Sequence, residues 1–209
     1  MTGKDIRGMD HFQRTPRRCV TNSHRSRFSQ FMAVGLAWAL GASCAHAQKS
    51  NPTEYEVKAA YLYNFGKFVA WPAKVTAAGD FFTICVLGED PFGATLDAAI
   101  SGESIDGKKI VVKRITKSQE TVSCRILFIS ASEESQLREI LATLDNTSVL
   151  TVSDISQFTR RGGMIQFVVD ANRVRFEVNL TVAEHAGLTL SSQLLKVAIN
   201  VRRSSQAGD

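Results

Sequence analysis

Phe81-Phe82-Thr83-Ile84-Cys85-Val86-Leu87 is a β-rich run that meets Gly88-Glu89-Asp90-Pro91 and then a helix-forming stretch over residues 91–100. A proline at the first helical position after Asp90 is a good start signal, because its missing N–H would have no partner there anyway. The alternation continues downstream. Residues 109–115 and 126–130 read as strands, 133–144 as an amphipathic helix, and 149–152 as a further strand followed by a short helical turn near 154–158. Ile126-Leu127-Phe128-Ile129 offers apolar side chains to both faces of its strand, so the sheet needs cover on both sides. We expect an α/β fold: a three-layer sandwich around a mixed, largely parallel sheet. If the strand holding Cys85 lies beside the one that starts after Cys124, a bridge between them would tie neighbouring strands at the sheet centre.

Upstream, Asn51-Pro52-Thr53 precedes a helix in which Thr53 and Glu56 form a capping box. Val57, Tyr61, Phe65 and Phe68 recur at helical spacing, Leu62 and Val69 widen the stripe, and Trp71-Pro72 ends it. An aromatic stripe of this kind reads as core. Downstream, Arg161-Gly162-Gly163 leads into two runs, 164–169 and 173–179, around Asp170-Ala171-Asn172, which read as a C-terminal antiparallel hairpin. A three-residue loop with Asn172 left-handed places Ile165 opposite Glu177 and Phe167 opposite Arg175, whereas a two-residue loop pairs Phe167 with Phe176. The first register gathers Ile165, Phe167, Arg175 and Glu177 into an apolar anchor ringed by charge, the composition of a partner-binding face. Burial of these residues in the core is the competing reading. Helices over about 180–186 and 191–201, with Gly187 as a break, close the domain.

The first 47 residues read as an export signal: a basic segment, an apolar run over residues 31–40 and the tripeptide Ala45-His46-Ala47. The apolar run is half of what a bilayer span requires. Leu40-Gly41-Ala42-Ser43-Cys44 sets its Leu one position too far from the Cys for a lipoprotein box, and Arg17-Arg18 lacks a twin-arginine setting. The expected domains are therefore a signal peptide over 1–47 and one domain over 48–209, beginning at Gln48 and delivered to the periplasm. Seven of the 25 basic and two of the 20 acidic residues precede that point, which leaves 18 of each sign. The neutral balance removes the polybasic signature of a nucleic-acid or membrane-surface binder.

Cys85 and Cys124 are then the only thiols. In an oxidising compartment a disulfide is the simplest reading, with two separate buried cysteines as the alternative. Neither has a close partner at zinc spacing, and no metal or cofactor is expected. His185, in Ala183-Glu184-His185-Ala186, has no sequence-visible nucleophile to serve and reads as a solvated helix residue. Glu89-Asp90 and Glu133-Glu134 read as helix-start charges rather than a catalytic pair. Arg160 and Arg161 read as solvated loop charges, and no phosphate-binding glycine pattern is present.

Several segments in order resemble the YfiR family of bacterial periplasmic regulators. They are Val57-Lys58-Ala59-Ala60-Tyr61-Leu62-Tyr63-Asn64-Phe65, Trp71-Pro72, Ile84-Cys85-Val86-Leu87-Gly88 and Asp90-Pro91-Phe92-Gly93. Val149-Leu150-Thr151-Val152-Ser153-Asp154, Gly162-Gly163-Met164-Ile165, Arg175-Phe176-Glu177-Val178-Asn179 and Ser191-Ser192-Gln193-Leu194-Leu195 continue the likeness. The resemblance implies a non-enzymatic, homodimeric α/β domain that represses an inner-membrane diguanylate cyclase by binding its periplasmic region. It also implies an outer-membrane, peptidoglycan-binding lipoprotein that captures the repressor, raising cyclic di-GMP and favouring biofilm. Cys85 and Cys124 match the family's amino-terminal disulfide; the second bridge of some relatives has no cysteines here. A periplasmic small-ligand sensor is the alternative function.

Overall fold

Thr53 opens helix α1 (Glu54–Phe68) as its capping pattern requires: its hydroxyl accepts from the Glu56 N–H, and the Glu56 carboxylate accepts from the Thr53 N–H at 2.5 Å. That backbone bond holds the Glu56 carboxyl below its ordinary value. The computed structural model describes residues 51–203 other than Ala78; the expected signal segment and its cleavage before Gln48 lie outside the described residues. The buried face of α1 is Lys58, Ala59, Leu62, Phe65 and Gly66. It is rotated from the expected stripe, leaving Val57, Tyr61 and Phe68 half-buried.

Strand β1 (Val69–Ala70) and helix α2 (Ala73–Ala77) lead to β2 (Phe81–Leu87), α3 (Ala94–Ile100), β3 (Ser104–Ile105) and β4 (Lys108–Ile115). A 3-10 segment (Ser118–Ser123) enters β5 (Ile126–Ile129), and a second (Ala131–Gln136) enters α4 (Leu137–Thr143). The chain continues through β6 (Leu150–Ser153), β7 (Ile165–Asp170), β8 (Arg173–Asn179), α5 (Leu180–His185), β9 (Thr189–Leu190), α6 (Ser192–Val197) and β10 (Asn200–Arg202). The eight-stranded sheet has the order β10-β8-β7-β6-β5-β2-β4-β3. Pairings from β4 through β2, β5 and β6 to β7 are parallel, β7–β8 is antiparallel, and β1 pairs separately with β9. The expected α/β class, the largely parallel sheet and the C-terminal hairpin are all present.

One face of the sheet packs Ile84, Phe128, Val152, Phe167 and Phe176 against α1 and α3. The other packs Cys85, Leu87, Leu127 and Ile129 against Leu137 and Ile140 of α4 and Leu144 just after it. Cys85 is bonded to Cys124 across 39 residues of chain. Cys124 lies in the connector just before β5, so the bridge fastens β2 to the entry of its neighbour and closes the crossover that contains α3 and β4.

Four local expectations change. The first helix of the sheet half begins at Ala94, because Asp90 folds back to accept from the Phe92 N–H and Gly93 is left-handed at φ 53. The helix expected over 133–144 opens as a 3-10 turn capped by Ser130. The segment 154–158 forms turns without a helix. The last helix stops at Val197, since the Ile199 N–H donates to the Phe176 carbonyl and the chain joins the sheet edge as β10.

Gly163 follows these turns in close contact with Phe158. A Cβ there would lie 2.1 Å from the Phe158 ring, which is itself fully buried. Gly163→Ala is expected to lower stability by about 1–3 kcal/mol through overpacking. A urea midpoint equal to that of the unaltered chain would refute the tight approach.

Candidate functional site

The hairpin register decides where the expected partner face lies. Ala171 and Asn172 are both left-handed, at φ 46 and 60, which makes a two-residue turn with Phe167 opposite Phe176, Val168 opposite Arg175, Gln166 opposite Glu177 and Ile165 opposite Val178. The three-residue register is therefore corrected. Holding Ala171 left-handed costs about 1–2 kcal/mol, while burying each of two phenylalanines contributes roughly 1.5–3 kcal/mol. The aromatic pair wins. Phe167 and Phe176 pack on Tyr61 and Phe65 of α1, and Ile165 and Phe167 are buried core. Arg175 and Glu177 point to the opposite face, so the four residues do not form one surface.

That opposite face differs from one side of the sheet to the other. Over β2 and β5 it is apolar and covered by α4; over β7, β8 and β10 it contributes nothing to either apolar cluster. Register places Gln166 beside Glu177, Val168 beside Arg175, Asp170 beside Arg173, Asn200 beside Glu177 and Arg202 beside Asn179. The loop after β6 touches one end. The Thr159 hydroxyl donates to Glu177, the Thr159 N–H donates to the Gln166 side chain, and the Asn179 amide donates to the Thr159 carbonyl at 2.9 Å. Among the described residues Arg173, Arg175 and Arg202 make no ion pair, and the buried Nε of Arg175 has no hydrogen-bond partner. Arg161, by contrast, is held by Glu134 at 2.9 Å.

At the carboxyl ends of the parallel strands a second polar group is buried. Lys58 is 3% exposed on α1, and its Nζ lies 2.6 Å from both Asp154, just after β6, and Glu54. Tyr55 donates its hydroxyl to the same Asp154, and the lysine sits over the Tyr55 ring at 4.5 Å. Burial by itself pushes the lysine down, but the hydrogen bonds and charges of Asp154 and Glu54 outweigh it and hold Lys58 above its ordinary value. The preceding Ser153 hydroxyl donates to the Ile129 carbonyl and accepts from the Ile155 N–H, fixing the loop that carries Asp154. Sequence reading missed this cluster.

The order β4-β2-β5 reverses direction at β2, so the crevice beyond β2 and β5 is where an open α/β sheet would hold a ligand. Here Ser132 accepts from the Glu89 N–H at 3.0 Å, and a Cβ on Gly88 would lie 2.4 Å from the same hydroxyl oxygen. The crevice is filled by the chain's own turn. Arg114 binds Asp90, Asp97 and the Gly93 carbonyl beside it, holding the Asp97 carboxyl below its usual range. Elsewhere, a groove of about 450 Å³ lies between α4 and α5, lined by Leu141, Leu144, Asp145, Met164, Val182 and the exposed His185. A concavity of about 240 Å³ is lined by Asn179, Thr181, Arg202 and Arg203 at the end of the open sheet face. Among the described residues no three metal-ligating side chains converge, and no helix is long and apolar enough to cross a membrane.

A family model described as YfiR/HmsC-like matches residues 55–199. Among solved structures, a conserved domain protein from Vibrio cholerae o1 biovar eltor is similar at 13% identity and a TM-score of 0.48, over 73% of this chain and 62% of that one. The ABC domain from Streptococcus pneumonia, solved in complex with L-Trp, is similar at 14% identity and a TM-score of 0.43, over 58% of this chain and 55% of that one. The chain thus spans less than two thirds of the length of either structure.

Proposed function

The chain belongs to the YfiR/HmsC-like family, and from that premise we propose that it is a periplasmic, non-enzymatic regulator acting through protein contacts. Its partner in this reading is the periplasmic region of an inner-membrane diguanylate cyclase, which it holds inactive as a homodimer until an outer-membrane, peptidoglycan-binding lipoprotein captures it. Cyclic di-GMP and biofilm rise on release. The observation that carries the reading is the family match, which runs from the first turn of α1 to the entry of β10.

Two features support it. The Cys85–Cys124 bond suits an oxidising compartment. The buried Lys58 is engaged by Asp154, at an ion-pair distance that holds α1 to the loop after β6, and by the more exposed Glu54 of its own helix. The groove between α4 and α5 favours the small-ligand sensor as a second reading, because its apolar walls carry Asp145 and His185 as polar groups.

The test is capture from solubilised membranes by the purified protein, together with cyclic di-GMP measured in cells lacking it. A membrane cyclase in the captured fraction and a raised cyclic di-GMP level are expected. Unchanged cyclic di-GMP with no cyclase captured would overturn the regulator, and a shift of several degrees in thermal midpoint with a small amphipathic metabolite would favour the sensor.

A further inference from the structure

We propose that the polar face of β7, β8 and β10, opposite the aromatic core, binds the carboxylates of an acidic segment on a partner protein. The inference rests on the regulatory reading above and assigns the contact surface to it. A strand with one solvated face alternates in polarity, and Arg173-Val174-Arg175-Phe176-Glu177-Val178-Asn179 does so through its whole length. What exceeds an ordinary solvated face is the sign and state of its charges. Arg173 and Arg175 stand two residues apart on one side of β8, and Arg202 lies across from Asn179 on β10. None makes an ion pair among the described residues, and with Asp170 opposite Arg173 and Glu177 following Arg175 on the same side of β8 the arginines exceed the carboxylates by one.

Arg175 adds a second observation. Its Nε is buried and has no hydrogen-bond partner, and leaving such a donor unmet costs about 1–3 kcal/mol. That atom is closed to an arriving partner, so a carboxylate would meet the terminal N–H groups of the guanidinium, whose fork geometry favours arginine for this task. The concavity lined by Asn179, Arg202 and Arg203 offers a second place for an acidic side chain on the same face. The Glu177 carboxylate accepts from Thr159 and makes no ion pair with the arginines among the described residues.

The same charges select the occupant. A second copy laid on this face about a two-fold axis would set two surfaces of the same excess positive charge against each other, which disfavours that arrangement. An acidic segment of a different protein meets the arginines with complementary charge. Because the contact is electrostatic at its rim, its association is sensitive to salt.

The experiment titrates the purified protein into a fluorescein-labelled peptide of alternating glutamate and valine, with the glutamine-valine peptide as control. Binding to the acidic peptide alone is expected, weakened about tenfold by Arg175→Gln, about a hundredfold by Arg173→Gln with Arg175→Gln, and strongly by raised salt. Thermal midpoints of the variants should not fall below that of the unaltered protein, because no internal ion pair is lost. Equal binding of both peptides, or a preference for phosphatidylglycerol vesicles over the acidic peptide, would overturn the proposal. Membrane capture separates it from the reading it rests on. Equal cyclase capture by the unaltered protein and the double variant removes this face and leaves the regulator standing. Peptide binding lost in the double variant, with no cyclase captured by either protein, supports the face and removes the cyclase.

Discussion

An Asp154→Ala variant is expected to lose about 3–5 kcal/mol of stability, the usual consequence of stranding one member of a buried ion pair. Lys58 would remain 3% exposed, with Glu54 as its only carboxylate, and Glu54 is itself about half exposed. For a domain of this size the loss corresponds to a fall in thermal midpoint of about 6–20 °C. The double variant Lys58→Met with Asp154→Leu separates charge from packing, because replacing both partners by apolar groups of similar volume is often neutral. It should recover most of the loss. Urea unfolding of both variants decides the matter, and an Asp154→Ala midpoint within about 0.5 kcal/mol of the unaltered protein would show that the pair contributes nothing. Alkaline titration gives an independent check. Since Lys58 is held above its unfolded value, its contribution is fully present below about pH 10.4 and disappears as pH rises through the folded value. Lys58→Met should flatten the stability profile in that window and lower stability at neutral pH, where the lost contribution is fully present.

The same pair shows what a sequence can and cannot disclose here. Thr53 and Glu56 announce the start of α1 because both halves of the capping box lie within one turn, and Phe81-Phe82-Thr83-Ile84-Cys85-Val86-Leu87 reads as β2 because its pattern is local. Lys58 is different. Its partner Asp154 lies 96 residues away, and nothing near Lys58 distinguishes a buried lysine from a solvated one except Glu54 one turn earlier. The hairpin was locally ambiguous for a related reason: Asp170-Ala171-Asn172 is compatible with either loop length, and the choice is made by Tyr61 and Phe65 on a remote helix receiving Phe167 and Phe176. The open sheet face did leave a signal. Strict alternation through Arg173-Val174-Arg175-Phe176-Glu177-Val178-Asn179 puts the arginines and Glu177 opposite Phe176 and Val178, and taking it as decisive would have separated Arg175 from Phe167. Residues 191–201 hid β10 because its pairing is with β8, a remote strand that it joins over three residues, rather than being announced by a run of β-formers.

Breaking the Cys85–Cys124 bridge is expected to lower stability by roughly 3–4 kcal/mol on the chain-entropy account, since it frees a loop of 39 residues in the unfolded chain. The folded state should change little. Both sulfurs sit in the apolar layer beside Leu87 and Leu127, where a reduced thiol packs as a small hydrophobe. Comparison of urea midpoints for oxidised protein and protein unfolded and refolded in reductant measures the effect, with near-UV dichroism confirming that the reduced form is packed. Replacing both residues by serine should cost more, because two hydroxyls would then be buried without assured partners. Burial also sets the kinetics. Cys85 is 0% and Cys124 2% exposed, so a thiolate reaches the bond only when β2 and the entry to β5 separate. Reduction under native conditions should therefore proceed no faster than that opening and speed up as urea is raised. Fast reduction in the absence of denaturant would place the bond within reach of solvent, and an unchanged midpoint after reduction would mean that the crossover through α3 and β4 is already constrained in the unfolded chain.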